Sequence, residues 1–461
     1  MRTENDFLGE LQIEGEALYG INSLRSKQNF GSGYILHDPH FIRAYLLLKK
    51  ACAKANQETG YLDTERAGFI TRACDALITE GDYSHFIVNP LAGGAGTSLN
   101  MNVNEVIANK ALVLSGRKRG DYSYINPLTH VNMHQSTNDT YPTAFKAALM
   151  FYLRDLEKAV EHFQNTLQKK ELEFADVIKL GRTELMDALL VTVGMQFSAY
   201  SEAVGRDRWR VFKASERIKT VNIGGTAVGT GFNAPQKYIF SVIEKFREFT
   251  GLNIARAENL IDATQNLDTV VETMAIIKTL SVNLMKISGD LRLLASGPGG
   301  GIGEFILPAL QEGSSIMPGK VNPVIPEYAA TLCLTAIAND QAIAFAAGSG
   351  NLELNHLYPL VSTLSLQTMR HMIDAVTALD EKCVSGIVLN RERIAENLSH
   401  SLGLVTYLSS HIGHEKAALL YKEAQRSGTG IRQLCMDMSI LTAEEYDGIV
   451  SPDKIRMQGF K

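Results

Sequence analysis

The sequence predicts a mainly α fold: a long central helical bundle flanked by small N- and C-terminal α-rich domains. Two observations carry this. Proline is scarce, 12 in 461 residues, and is missing from long internal stretches. Within those stretches apolar residues recur every three or four positions, the period of a helix with one buried face.

The elements follow in chain order. After Pro142, Leu149, Leu153, Leu156, Val160, Phe163 and Leu167 step by four and three. The segment from Asp187 to Ile218 is long and free of proline, and reads as a second helix. From Leu267 to Ser296 there is no proline and one glycine, Gly289. Leu267, Val270, Met274, Ile277, Leu284, Leu291 and Leu294 form its stripe, with Ser281 on the same seam. A helix of about 30 residues is roughly 45 Å long. Glu327 to Ala347 is a further such stretch. The last begins near Pro359 and runs through Leu364, Met369, Ile373, Val376 and Leu379 to about Cys383. Five long amphipathic segments imply a bundle, and a period near 3.5 suggests coiled-coil-like packing between subunits. The expected division is 1–138, 139–390 and 391–461.

Composition excludes several classes. Lys and Arg number 45 against 50 Asp and Glu, and this mildly acidic, mixed charge argues against nucleic-acid binding. An apolar fraction of 45 % is too high for a disordered chain. No uninterrupted apolar run approaches the roughly 18 residues of a membrane span, so no membrane partner is expected. The polar start, Met1 to Asp6, has no apolar core of a secretory signal. Five scattered cysteines, Cys52, Cys74, Cys333, Cys383 and Cys435, suit reduced thiols in a cytoplasm.

Three loops between the helices are dense in small polar residues. They are Gly93 to Asn102, His134 to Asp139, and Gly313 to Pro323. Hydroxyls, amides and backbone N–H groups at helix ends can converge on an anion. Lys320 in a Gly/Ser-rich loop is a natural carboxylate anchor, and flanking glycines suit a mobile lid. The commonplace reading of each loop alone is capping and turn chemistry. No Walker A spacing, zincin pattern or Gly-x-Ser-x-Gly elbow appears, so neither cofactor nor metal is expected.

The third loop resembles the aspartase/fumarase superfamily pattern Gly-Ser-x-x-Met-x-x-Lys-x-Asn, with Gly313, Ser314, Met317, Lys320 and Asn322 in place. The other two loops are similar to that family's remaining segments, in order and separation. The likeness extends to Tyr19-Gly20-Ile21, Leu24-Arg25 and the stretch from Gly403 to Gly413, and looks closest to the aspartase branch. It implies a homotetramer whose active sites are each built from loops of three subunits. It implies elimination from a small amino-acid substrate: a base takes the proton beta to the leaving group, and the carbanion is held as an aci-carboxylate dianion. Ammonia or an amine then leaves. By resemblance, Ser314 is the base. Thr97, Ser98, Ser136 and Thr137 bind the dianion, and Lys320 and Asn322 hold the other carboxylate. Asn138 and Thr183 lie near the leaving amine. A serine base needs donors to its oxyanion, a nearby cation and exclusion of water.

Departures from the family pattern bear on substrate. Glu184 stands where fumarases carry His, and the resemblance pairs it with Glu327. Two carboxylates in contact share a proton or hold a cation between them. Gly297-Pro298-Gly299 lacks the family's Arg, and His134, His356 and Tyr358 replace usual residues, offering an imidazole and a phenol if they face the pocket. Aspartate to fumarate and ammonia is the favoured expectation. The alternative is an ergothionase-type loss of trimethylamine from ergothioneine or another histidine betaine. A remote alternative is an inactive structural homologue.

Overall fold

The computed structural model describes residues 1–31, 36–399 and 401–457. The chain is 63 % helical, so the mainly α expectation holds. Strands β1 (Arg2–Asp6) and β2 (Gly9–Ile13) form an opening hairpin. Helices α1 (Ile21–Phe30), α2 (Pro39–Glu58), α3 (Thr64–Glu80) and α4 (Thr97–Leu114) follow, then a π-helical turn, Pro127–Val131, and α5 (Thr137–Glu173). A second hairpin, β3 (Ile178–Thr183) and β4 (Met186–Thr192), leads into α6 (Val193–Ile218). Next come β5 (Thr220–Val221), α7 (Gln236–Thr250), β6 (Ala255–Arg256), α8 (Leu260–Gln265) and α9 (Asp268–Leu294). Then β7 (Phe305–Ile306), α10 (Val324–Gly348), α11 (Tyr358–Lys382) and β8 (Val388–Leu389) precede six short helices. These are α12 (Arg391–Ser399), α13 (Leu402–Ile412), α14 (His414–Ser427), α15 (Ile431–Asp437), α16 (Ala443–Ile449) and α17 (Pro452–Arg456).

The chain has two compact units. The first holds Met1–Glu157, Arg210–Lys278 and Thr335–Met372. The second holds Lys158–Trp209, Thr279–Leu334 and the chain from Ile373 onward. The five long helices α5, α6, α9, α10 and α11 each run from one unit into the other. Their expected seams are largely dry. Leu149 through Leu167 on α5 are buried, as are Val270, Met274, Ile277, Ser281, Leu284, Leu291 and Leu294 on α9. On α11, Leu364 and Ile373 are only half-buried, and Val361, Leu366 and Met372 take the interior instead. Helix α10 is apolar nearly all round. An 18-residue window has mean hydropathy 1.3 and is long and apolar enough to cross a membrane by length and composition; 39 % of it is buried.

Two expected helix starts move. The segment from Asp187 does not begin as helix: Met186–Thr192 is strand β4, and α6 starts at Val193. The β-branched run Val191-Thr192-Val193 favours an extended backbone, and β3 supplies the ladder partner. Helix α5, by contrast, starts at Thr137, ahead of Pro142. A proline there has no N–H for the carbonyl four residues back. The amide of Asn222 supplies it, donating to the Asn138 carbonyl at 2.9 Å.

In the first unit, α2 packs on α3 and α7. Asp38 caps α2 through the amides of His40 and Phe41, with Pro39 at the first helical position. Helix α1 has no cap of its own. The buried Glu105 of α4 supplies it, accepting from the amides of Gly20, Asn22 and Ser23 at 2.8, 2.8 and 3.1 Å. A Cβ on Gly20 would stand 2.7 Å from that carboxyl carbon, which accounts for the glycine. The buried Asp139, in the first turn of α5, accepts from the amides of Ser136 at 2.9 Å, Gly224 at 3.1 Å and Thr226 at 3.0 Å.

In the second unit, Leu404, Leu408, Leu420, Ile431, Leu434 and Tyr446 close a small core with Leu190 of β4. Helix α13 lies against β4 so closely that a Cβ on Gly403 would meet the Ala188 carbonyl oxygen at 1.7 Å.

Two stability predictions follow from these contacts. Gly403→Ala forces α13 off β4 and lowers stability by about 2–3 kcal/mol in urea denaturation, the range of an overpacked core. Burial pushes the Asp139 carboxyl up to about 6 against the three amides that favour its charge. A carboxyl raised above its unfolded value stabilises most below that value and loses this contribution as pH rises through about 6. Relative to Asp139→Asn, the wild-type protein is expected to lose about 3 kcal/mol between roughly pH 4 and 6. Urea midpoints at both pH values measure it.

Candidate active site

In the first unit, loop one ends at Gly96, the N-cap of α4. Its φ of 95° lies in the left-handed region, and no side chain caps the helix. The helix therefore presents its positive end beside the hydroxyls of exposed Thr97 and half-buried Ser98. Only glycine fits at 96, since a Cβ would fall 2.2 Å from the Tyr141 ring. Tyr141 donates to or accepts from Ser362 Oγ at 2.7 Å and meets the Tyr358 ring edge-on at 6.2 Å.

Loop two opens α5. Ser136 Oγ accepts from the Asn138 amide at 3.2 Å, and Asn138 Nδ2 donates to the Ala227 carbonyl at 2.7 Å. Thr137 is buried, and its Oγ1 accepts from Asn100 Nδ2 at 3.0 Å. Asn100 lies in the first turn of α4, so this hydrogen bond ties the start of α4 to loop two. Beneath them lies Lys49, fully buried, its ammonium donating to Asn100 Oδ1, Asn132 Oδ1 and Gln135 Oε1 at 2.8, 2.9 and 2.9 Å.

The replacements at 134, 356 and 358 separate. His134 Nδ1 bonds Asn56 Oδ1 at 2.6 Å, and its ring packs on Tyr61 and Tyr238. His356 is exposed ahead of α11. Tyr358, expected to face substrate, is 1 % exposed and sits behind Tyr141 as a second layer under Gly96. Its hydroxyl has no hydrogen-bond partner among the described residues. The apolar wall under loop one claimed this side chain.

In the second unit, loop three is a closed ring. The Gly313 amide donates to the Lys320 carbonyl at 2.7 Å, and Asn322 Nδ2 donates to the Gly313 carbonyl at 2.9 Å. A Cβ on Gly313 would strike Asn322 at 2.8 Å. Half-buried Ser314 turns its Oγ inward, accepting from the amides of Ile316 at 3.2 Å and Met317 at 3.0 Å. Lys320, Asn322 and Glu327 line one cavity of about 590 Å³ together with Arg292. Arg292 Nε lies 3.8 Å from Glu327 Oε1. The sequence reading missed Arg292. It sits one and a half turns before Gly297-Pro298-Gly299, where the family arginine is lacking, and flanks the α9 seam directly after Leu291.

The second hairpin carries Thr183 and Glu184. Thr183 pairs with Met186, leaving Glu184 and Leu185 as a two-residue turn with φ of 52° and 67°. All four residues are exposed. The hairpin's base is anchored by Glu304, 0 % exposed, which meets Arg182 at 2.7 Å and Lys179 at 3.2 Å. Burial opposes its charge, but the Arg182 hydrogen bond and the Lys179 and Arg182 charges outweigh this and hold the carboxyl below the usual range. Glu327, expected beside Glu184, has Arg292 as its ionic partner in this chain.

The chain is similar to known proteins over nearly its whole length. The family model described as lyase matches residues 9–338, and that of the fumarase C C-terminus matches residues 404–456. An aspartate ammonia-lyase from a Bacillus species is 43 % identical over 461 residues, covering all of this chain and 98 % of that one. The cobalt-bound fumarate lyase:delta crystallin of Brucella melitensis shares 40 % identity with a TM-score of 0.92, covering 99 % of both chains. A recombinant class II fumarase from Schistosoma mansoni shares 31 % identity with a TM-score of 0.88, over 98 % of both. With that much of its length shared, the chain belongs to the aspartase/fumarase superfamily and is a carbon–nitrogen lyase.

Proposed function

We propose that this lyase converts L-aspartate to fumarate and ammonia. The observation that carries the chemistry is Ser314 Oγ, which already accepts two backbone N–H bonds. A hydroxyl so placed loses its proton more readily, because both donors favour the alkoxide. The alkoxide takes a proton from the substrate carbon beta to nitrogen. The electron pair moves into the adjacent carboxylate, giving the aci-carboxylate dianion. That pair then forms the C=C bond as the C–N bond breaks and ammonia departs. Thr97, Ser98, Ser136 and Thr137 bind the dianion with the open end of α4 beside them. Lys320 and Asn322 hold the second carboxylate, and Asn138, Thr183 and Glu184 face the leaving amine.

Glu327 bears on the choice of substrate. The betaine alternative asked for a cationic substrate to separate two carboxylates. Arg292 already faces Glu327, so that demand weakens and aspartate is favoured.

The active enzyme is a homotetramer in this reading, with each site drawing loops from three subunits. The support is α10, whose Tyr328, Leu334 and Phe345 stay exposed on an apolar helix that a neighbouring chain would cover. Five free, buried cysteines suit a cytoplasmic protein.

Parallel assays with aspartate and ergothioneine test the substrate. Fumarate and ammonia from aspartate support the proposal; silence with aspartate and trimethylamine from ergothioneine overturn it. Ser314→Ala is expected to lower kcat about 10²–10⁴-fold with the tetramer intact by light scattering. A near wild-type rate removes Ser314 as the base. Glu184→Gln is expected to raise aspartate turnover severalfold, and an unchanged rate takes position 184 out of the leaving-group chemistry.

A further inference from the structure

A buried lysine normally has a carboxylate partner. Lys49 has none within hydrogen-bond distance among the described residues. Its three protons go to three neutral amide oxygens, on Asn100, Asn132 and Gln135. An ammonium has donors only, so it dictates which end of each amide faces it. The carbonyl of Asn100 turns to Lys49, and its NH₂ group turns away, donating to Thr137 Oγ1 at 3.0 Å and Asn132 Oδ1 at 3.3 Å.

Thr137 is the end of this chain. Its oxygen accepts from Asn100, and no acceptor for its own proton lies among the described residues. Its hydroxyl is thereby left as a donor to something outside the protein. The chain Lys49 to Asn100 to Thr137 runs from a fixed positive charge to the second anion-binding loop, every bond pointing the same way. Bonds aligned like this polarise one another.

We propose that Lys49 is a positioning residue that makes Thr137 an outward hydrogen-bond donor to the substrate carboxylate. It acts through Asn100 and touches no substrate itself. The inference rests on the anion-binding role proposed for loop two. Burial pushes the Lys49 ammonium down to about 8, which leaves it mostly charged near neutral pH.

The test is a double-mutant cycle on the full-length enzyme, with Lys49→Met, Thr137→Val and the double variant. Two readouts are used: KM and kcat for aspartate, and Kd for succinate, a dicarboxylate that cannot eliminate. Each single variant is expected to weaken succinate about tenfold or more, as for loss of a hydrogen bond to a charged group. The double variant is expected to be no weaker than Thr137→Val alone. Additive losses overturn the proposal, because a merely structural lysine would act independently of Thr137. Asn100→Asp covers the case in which Lys49→Met fails to fold. It keeps Lys49 paired, yet its carboxylate accepts from Thr137 and turns that proton inward. Succinate affinity is expected to fall tenfold with no loss of thermal stability; unchanged affinity overturns the proposal. A wild-type enzyme that neither turns over aspartate nor binds succinate overturns the aspartate reading and this inference together. An active wild type with an additive cycle overturns this inference alone.

Discussion

The carboxylate of Asp139 organises the first unit's polar surface. It gathers amides from Ser136, Gly224 and Thr226, segments more than 80 residues apart in the chain. That carboxylate joins the start of the 37-residue α5 to the backbone of the Gly224 loop, beside the bond from Asn138 Nδ2 to the Ala227 carbonyl. The same loop region sends Asn222 to satisfy the carbonyl that Pro142 abandons. A helix that begins ahead of its own proline is therefore a tertiary product. Loop two is set at the one place where the chain can present Ser136, Thr137 and Asn138 together.

Two buried charges lie under these loops, and neither is neutralised by direct contact with the other. Asp139 is surrounded by peptide N–H dipoles and Lys49 by amide C=O dipoles. Fixed dipoles of this kind keep their orientation when a charged substrate arrives, so little reorganisation accompanies binding. The arrangement also explains the small polar residues in loops one and two. Larger side chains would fill the space that the amide network needs.

The long helices were legible in the sequence because their seams are local and periodic. The limits of α9, α10 and α11 fall within three residues of those expected from spacing alone. Loop three was legible because its residues bond one another within ten positions. What escaped depends on partners distant in sequence. Strand β4 looks helical until β3 offers its ladder. Pro142 looks like a helix start until Asn222 appears beside it. Tyr358 looks free to reach substrate until Tyr141 and Gly96 close over it. Lys49 lies on α2, while Asn132 and Gln135 lie 83 and 86 residues further on in the turn before α5, and no spacing announces them together. Arg292 shares a cavity with Lys320 because α9 ends where loop three folds back.

The hairpin turn at Glu184 and Leu185 has a further consequence. Both residues hold a left-handed backbone that costs a non-glycine residue roughly 1–2 kcal/mol. Branching at Cβ makes such a conformation much harder, whereas Asn, Asp and His adopt it more readily. Position 184 is therefore confined to a short alphabet of unbranched, mostly polar side chains. Within that alphabet the charge and proton-holding capacity at the tip can change from acid to amide to imidazole while the backbone stays where it is. A lineage bearing this turn can alter the chemistry of its tip by single substitutions, with no loop to rebuild.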